Sequence, residues 1–333
     1  NGNGSAVTGS ANTALGESAL FANASGSYNV AVGYQAAYNT TTDTSVIAIG
    51  YQALYSNTSG GGGSYNIAIG PSAHFYGQAD AYYNIAIGAW HDGVVEGPMA
   101  YLTTGSWNVA IGNAAFYGSG AGSPVTGNYN VAVGGYAAAP AQSGNYNTAI
   151  GYQAAYSNTT GDGLVAIGWK ALYAHTTGAD NTAVGYNVMA STTTGANNAA
   201  FGTGALTTNS TGNYNTALGR SALYSNTTAS GNTAVGYQAA YNNTAQTITA
   251  LGYKAGYSNT TGTDNVAIGD SALYSNLSGS YNVAVGRSAL HENTTGQQNT
   301  AVGYQALYAS DADYNVAVGT QALVANTSGV NNA

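Results

Sequence analysis

The sequence predicts an all-β fold, a parallel β-solenoid of about 18 coils with a 17-residue repeat, and three observations predict it. First, the stretch Asn232-Thr233-Ala234-Val235-Gly236-Tyr237-Gln238-Ala239-Ala240-Tyr241 returns eighteen times, with small variations, in a chain of 333 residues. Aligned on the closing glycine, the copies fall at Gly16, Gly33, Gly50, Gly70, Gly88, Gly112, Gly134, Gly151, Gly168, Gly185, Gly202, Gly219, Gly236, Gly252, Gly269, Gly286, Gly303 and Gly319. From Gly134 onward the spacing is always 16 or 17, and self-similarity at a fixed short period implies coils stacked along an axis. Second, apolar residues before each glycine alternate with period two, the signature of a strand. Third, only 5% of residues are charged, against about 25% in ordinary soluble domains. The surface must be wetted by neutral polar groups, chiefly Asn, Thr, Ser and the tyrosine hydroxyl.

The columns of the repeat justify each element in turn. Two positions before the glycine stands alanine in all eighteen copies, and one before it a large apolar residue such as Val32, Ile49, Phe201 or Leu218. Three before it is usually Val, Ile or Thr. β-branched residues and strict alternation make this a strand, with the large residues on one face and alanine on the other. Neither face is charged, so both are expected to be buried. Four before the glycine, fifteen of eighteen copies carry asparagine, and the exceptions are Val46, Leu164 and Ile248. A solvent-facing turn would not repeatedly accept aliphatic residues, so the column is expected to face inward as a rung-to-rung amide ladder. Its members include Asn29, Asn66, Asn84, Asn108, Asn130, Asn147, Asn181, Asn215, Asn232, Asn265, Asn282, Asn299 and Asn315. After the glycine, Tyr-Gln-Ala-Leu-Tyr (Tyr51 to Tyr55, Tyr304 to Tyr308) reads as a second short strand or extended corner. Ser-Asn-Thr-Thr-Gly (Ser157 to Gly161, Ser258 to Gly262) then closes the coil as a turn, with its glycine expected to supply positive φ.

Residues 1–333 thus form a single repeat array, with irregular repeats over residues 50–134 where the spacing stretches to 20, 18, 24 and 22. Insertions in solenoids loop out from one face, often the one that binds. Trp90, His91, Tyr101 and Trp107 are the candidate binding residues of this patch, and neutral variation in loop length is the competing reading. Asn-x-Ser/Thr recurs at Asn23, Asn39, Asn57, Asn158, Asn209, Asn226, Asn242, Asn259, Asn276, Asn293 and Asn326. These are candidate glycan acceptors, although Asn-Thr-Thr-Gly is also ordinary turn chemistry.

Several function classes lack support. The chain has no cysteine, so there are no disulfides or thiolate metal sites. A net charge of −8 with only four basic residues argues against nucleic acid. No apolar run reaches the roughly 18–20 residues of a spanning helix. No paired carboxylates, nucleophile elbow or phosphate loop stand out, and Gly60 to Gly63 is followed by no Lys-Ser/Thr. His91-Asp92 with Glu96 is the one compact titratable set, too little for a metal site. His175 and His291 fall in turn or corner columns and are expected to be solvated. The sequence therefore predicts no catalytic residues, no metal, no cofactor and no enzyme.

Asn-Val-Ala-Val-Gly, at Asn29 to Gly33 and Asn282 to Gly286, followed by an alanine-bearing corner, resembles the head repeats of YadA-like trimeric autotransporter adhesins. The same units resemble the Asn-Thr-Ala-Val-Gly-Tyr-Gln-Ala-Leu-Tyr arrays of bacteriophage tail fibres, and the likeness covers essentially the whole chain. The adhesin head repeat is shorter, so the corner here is enlarged. The resemblance implies a left-handed parallel β-roll, three chains about a common axis, and an extracellular place on a virion tail fibre or bacterial cell surface. The two-faced strand points independently to a homotrimer, because the coil's own second strand covers one face only. The expected role is an adhesive fibre segment whose outward Tyr and Asn contact a host-surface glycan or receptor. The alternatives are a purely structural extracellular filament, glycosylated at the turn asparagines, and a fibre bearing a depolymerase site. Neither end of the sequence carries a visible cap, so a segment of a longer fibre is expected.

Overall fold

The structure, a computed structural model, describes residues 8–56, 63–74, 81–89, 97–118, 125–140 and 143–333. They fall into two units, residues 1–177 and 178–333. The first unit carries nine three-residue strands, from β1 (Thr13–Leu15) to β9 (Val165–Ile167), and the second carries nine more, from β10 (Thr182–Val184) to β18 (Val316–Val318). Within each unit, successive strands pair in parallel and in strict register. Thr13, Ala14 and Leu15 face Val30, Ala31 and Val32 in the first unit, and Thr233, Ala234 and Val235 face Thr249, Ala250 and Leu251 in the second. Each unit is a parallel β-solenoid.

Parity within the strand decides which residues fill the coil. The alanines from Ala31 to Ala301 are fully buried in every copy. The β-branched and large apolar residues on either side of them point outward and are half-buried or exposed, as with Leu218 at 47% and Leu251 at 46%. The expectation that both strand faces are buried therefore holds only for the alanine face within one chain. The reason is girth. The interior already contains a second alanine three after the glycine (Ala53, Ala222, Ala289) and a large aliphatic residue four after it (Leu54, Leu223, Leu290), all fully buried. Only a methyl fits opposite them.

Of the second short strand or extended corner expected after the glycine, the described residues show a corner and no strand. Residues one to six after the glycine form a run of turns. Their backbone alternates in hand, with left-handed φ two and four after the glycine, as at Gln238 (53°) and Ala240 (49°). That alternation aims successive peptide groups at neighbouring rungs instead of winding them into a helix. Gln238 N–H donates to the Arg220 carbonyl one rung before (2.9 Å), and Ala240 N–H donates to the Ala255 carbonyl one rung after (2.8 Å). Inter-rung hydrogen bonding thus continues around the corner without strand geometry. Each non-glycine residue held left-handed costs about 1–2 kcal/mol, offset by backbone groups that would otherwise be buried unpaired.

Glycine has two different duties here. The closing glycine needs its φ: Gly236 sits at 135°, and a Cβ there would also press on the Gly252 carbonyl of the next rung. The turn glycine does not supply positive φ as expected. At Gly262 a Cβ would press on the Gly279 carbonyl of the next rung, so close rung spacing favours glycine, although the same column takes a methyl at Ala229, Ala245 and Ala312.

Gly236→Ala is expected to destabilise the protein by about 3 kcal/mol or more, combining backbone strain with a backbone clash. Gly204→Asn is the control. Its φ of 68° suits Asn and its Cβ would meet nothing closer than the Ser221 hydroxyl at 3.5 Å, so its denaturant midpoint should be nearly unchanged.

Candidate binding surface

Two polar columns run inside the coil. The first is the asparagine four before the glycine, buried throughout from Asn29 to Asn315 and including Asn198. Asn282 shows its full bonding. Its N–H donates to Asn265 Oδ1 (2.9 Å), its Nδ2 donates to the Gly296 carbonyl in the next rung's turn (2.8 Å), and its Oδ1 accepts the Asn299 N–H (3.0 Å). The amide thus mimics a strand residue and ties the strand of one coil to the turn of the next. Direct amide–amide contacts are a minority, such as Asn130 Nδ2 to Asn108 Oδ1 at 3.2 Å. Val46, Leu164 and Ile248 fit the column because each still donates its N–H to the asparagine before it, at 2.8–3.0 Å.

The second column lies seven after the glycine and escaped the sequence reading. It contains Asn23, Thr40, Asn158, His175, Thr192, Asn209, Asn226, Asn243, Asn259, Asn276, Asn293 and Ser310, all buried. Asn276 Nδ2 donates both to the Gly279 carbonyl (2.9 Å) and to Asn259 Oδ1 one rung back (2.6 Å). Eight of the candidate glycan acceptors stand in this column. Asn23, Asn158, Asn209, Asn226, Asn259, Asn276 and Asn293 are buried, Asn326 is half-buried, and in each Nδ2 is donated to a turn carbonyl. A glycan on these nitrogens would replace the hydrogen bonds that close the coil. Asn39 and Asn242 stand one residue earlier and are half-buried, and Asn57 lies outside the described residues. His175, expected to be solvated, is fully buried in this column. His291 is half-buried in a ring stack, where burial lowers its pKa against the opposing pull of Glu292 and Asp270.

Outside the coil, aromatic residues form ladders because every coil repeats the same position one rung along. Five after the glycine, Tyr224, Tyr241, Tyr257, Tyr274, His291 and Tyr308 stack with centroids 4.9–5.3 Å apart. Burial, then the neighbouring Tyr224, Tyr257 and Tyr237, push the Tyr241 hydroxyl pKa up. Five before the glycine, Tyr65, Tyr83, Trp107, Tyr129 and Tyr146 form an exposed ladder with centroids 4.1–6.3 Å apart and near-parallel planes. All five hold left-handed φ between 56° and 63°, a conformation that bulky side chains avoid. All four basic residues lie over rings: Lys170 over Trp169 and Tyr173, Arg220 over Tyr237, Lys254 over Tyr253 and Tyr257, Arg287 over Tyr304. Arg287 also meets Asp270 at 3.8 Å.

Of the four loop-patch candidates, Trp107 belongs to the exposed ladder, and half-buried Tyr101 packs edge-on against Tyr117 at 5.4 Å. Trp90 and His91 lie outside the described residues. The sequence singled out Trp107 for its place in an irregular region, whereas its surroundings come from a column of aromatics spaced by the repeat. Stacking also alters what the rings offer. Inner rings of a ladder cover one another's faces and present their edges, so only rings beside a gap in the column present a free face.

Among the described residues, no cluster of three or more His, Cys, Asp or Glu side chains is placed to hold a metal, and no helix is long and apolar enough to cross a membrane. Comparison with known proteins finds no family model that matches the chain and no matching curated protein.

Two predictions arise from the buried polar groups. Asn282→Val strands the Asn299 N–H and takes away the shorter of the two bonds to the Gly296 carbonyl, which keeps Asn293 Nδ2, whereas Asn232→Val strands the Ile248 N–H but also removes a buried Nδ2 that has no partner. Chemical denaturation should find Asn282→Val the more destabilising by about 1–3 kcal/mol. The second concerns His74, fully buried in the aliphatic column with neither ring nitrogen hydrogen-bonded, whose pKa burial lowers to about 4. Below about pH 6.5 the unfolded chain takes up a proton that the folded chain refuses. Stability should therefore fall between pH 6.5 and 4, on the order of 3 kcal/mol from this group. His74→Leu, matching Leu54 one coil earlier, should remove that part of the slope in thermal melts across the same pH range.

Proposed function

We propose that the chain is a structural and adhesive segment of an extracellular fibre, on a virion tail fibre or a bacterial cell surface, built as a homotrimer. The observation that carries this reading is the outward strand face. In the second unit it presents Phe201, Leu218, Leu251 and Val302 at least a third exposed, flanked by Val, Ile and Thr with no charge among them. Water-facing sheets ordinarily place polar residues there, and contiguous apolar surface of this kind marks a protein contact. Three copies about an axis cover the face in all chains at once, by closed symmetry. The interior, held by asparagine columns and alanine, leaves the outward rings and amides as the attachment surface. Weak contacts repeated along such a fibre gain by multivalency. Burial of the turn asparagines weighs against the alternative of a filament glycosylated at those positions.

The test is sedimentation of the chain and of a triple variant, Val235→Asp, Ile268→Asp and Val285→Asp. All three side chains are half-buried in the single chain. The unmodified chain is expected to sediment at three times its monomer mass, and the variant to lose assembly and folding together. A folded monomer for the unmodified chain would overturn the trimer and leave a single-chain solenoid.

A further inference from the structure

The ring column five before the glycine is interrupted in the second unit, and the interruption has the form of a binding slot. Tyr214 is followed one rung later by Gly231, two rungs later by Thr247 and three rungs later by Asp264, all with left-handed φ between 56° and 72°. Tyr214 is 69% exposed, while Tyr65, Tyr83 and Tyr129 of the continuous ladder are at 41–50%. A Cβ on Gly231 would have only the Thr247 methyl within 4 Å, at 3.8 Å, so the space where a ring would stand is open. Two rungs span about 9.5 Å, which leaves room for one six-membered ring stacked on Tyr214 in the ladder's own spacing. On the far side, the Thr247 hydroxyl donates to Asp264 Oδ1 (2.8 Å) and accepts the Asp264 N–H (3.2 Å). Both residues are exposed, and the carboxylate keeps acceptor sites free toward solvent.

We propose that this slot binds a single pyranose ring of a carbohydrate, an assignment that rests on the adhesive reading above and names a subsite for it. A sugar ring has an apolar C–H face and a rim of hydroxyls. The Tyr214 ring matches the face, and the Asp264 carboxylate with the Thr247 hydroxyl matches the rim. An aromatic side chain from another copy would match the floor, but a tyrosine offers one hydroxyl at the far end of its ring, whereas a pyranose carries hydroxyls all along its rim. The glycine is essential, since any larger residue at this place in the column occupies the slot, as Tyr83 does between Tyr65 and Trp107.

The full-length chain is titrated with methyl pyranosides of the gluco, galacto, manno and N-acetylglucosamine series, following the Gly231 amide and the Thr247 methyl by NMR. At least one sugar is expected to shift both signals. Gly231→Tyr continues the ladder into the slot, and Tyr214→Asn removes the floor while keeping a residue that the column already accepts at Asn197 (φ 57°). Each should weaken that sugar's binding at least tenfold with melting unchanged, and Tyr281→Asn, outside the slot, should leave it intact. Sugar binding that survives Gly231→Tyr, or that shifts other residues only, overturns the slot and leaves the adhesive reading standing. Absence of any sugar binding by the chain overturns the slot and leaves the adhesive reading, which also admits a receptor other than a glycan. Self-association of the unmodified chain that Gly231→Tyr abolishes without sugar would make the occupant another copy's ring, and would overturn the carbohydrate assignment.

Discussion

The structure depends on one interaction, the hydrogen bond from a backbone N–H to the side-chain oxygen of the asparagine one rung before it. A 17-residue coil is too thin for an apolar core of ordinary width, and stacked backbone cannot satisfy every polar group at its corners. Asn282 and its equivalents meet both limits at once. The amide is small enough to lie inside with alanine, and it supplies a donor and an acceptor in peptide-like geometry. Because the same amide reaches the next rung's turn, strand and turn stay in register along each unit. The second column, from Asn23 to Ser310, is buried too, and its asparagines close their own coil's turn, as Asn276 does on the Gly279 carbonyl. Two polar seams and a packed line of Ala and Leu replace the usual hydrophobic core.

That design accepts strain elsewhere. Each regular coil places residues such as Gln238 and Ala240, and often a tyrosine, in the left-handed region. Local preference disfavours this, and only neighbours that fix the peptide planes from both sides can hold it. The stacked rungs provide them. The same stacking forces like side chains into columns, so that aromatic ladders, glutamine pairs such as Gln52 with Gln35 (2.7 Å) and cation–ring contacts follow from periodicity alone. An interruption in a column, as at Gly231, is then where chemistry can differ from one rung to the next.

The repeat, the strand and its parallel register were legible because period-two alternation and 17-residue spacing leave little choice. The inward amide column was legible because Val46, Leu164 and Ile248 stand in it, and aliphatic residues do not replace a wet turn. Which strand face turns inward was legible only in part, since alternation gives parity without sign and the thinness of the coil merely favoured alanine inside and the Val/Ile row outside. The answer lay in girth, through the second alanine and the leucine that already fill the coil. The second polar column was hidden because Asn-Thr-Thr-Gly is turn chemistry in any protein. Its one clue was that the exceptions, Thr40, His175, Thr192 and Ser310, are all polar and out of step with the Asn-x-Ser/Thr pattern. The corner read as a strand because Tyr-Gln-Ala-Leu-Tyr has strand-like composition, and nothing in those residue types announces left-handed φ at Gln and Leu.

The most direct measurement is amide hydrogen exchange on the native chain, resolved for backbone and asparagine side-chain groups. If buried amide columns hold the rungs, the Asn299 and Ile248 backbone N–H groups and the Nδ2 protons of Asn276 and Asn282 should exchange only with global unfolding. Exchange of those protons at the rate of an exposed amide, in a chain that remains folded, would contradict the account.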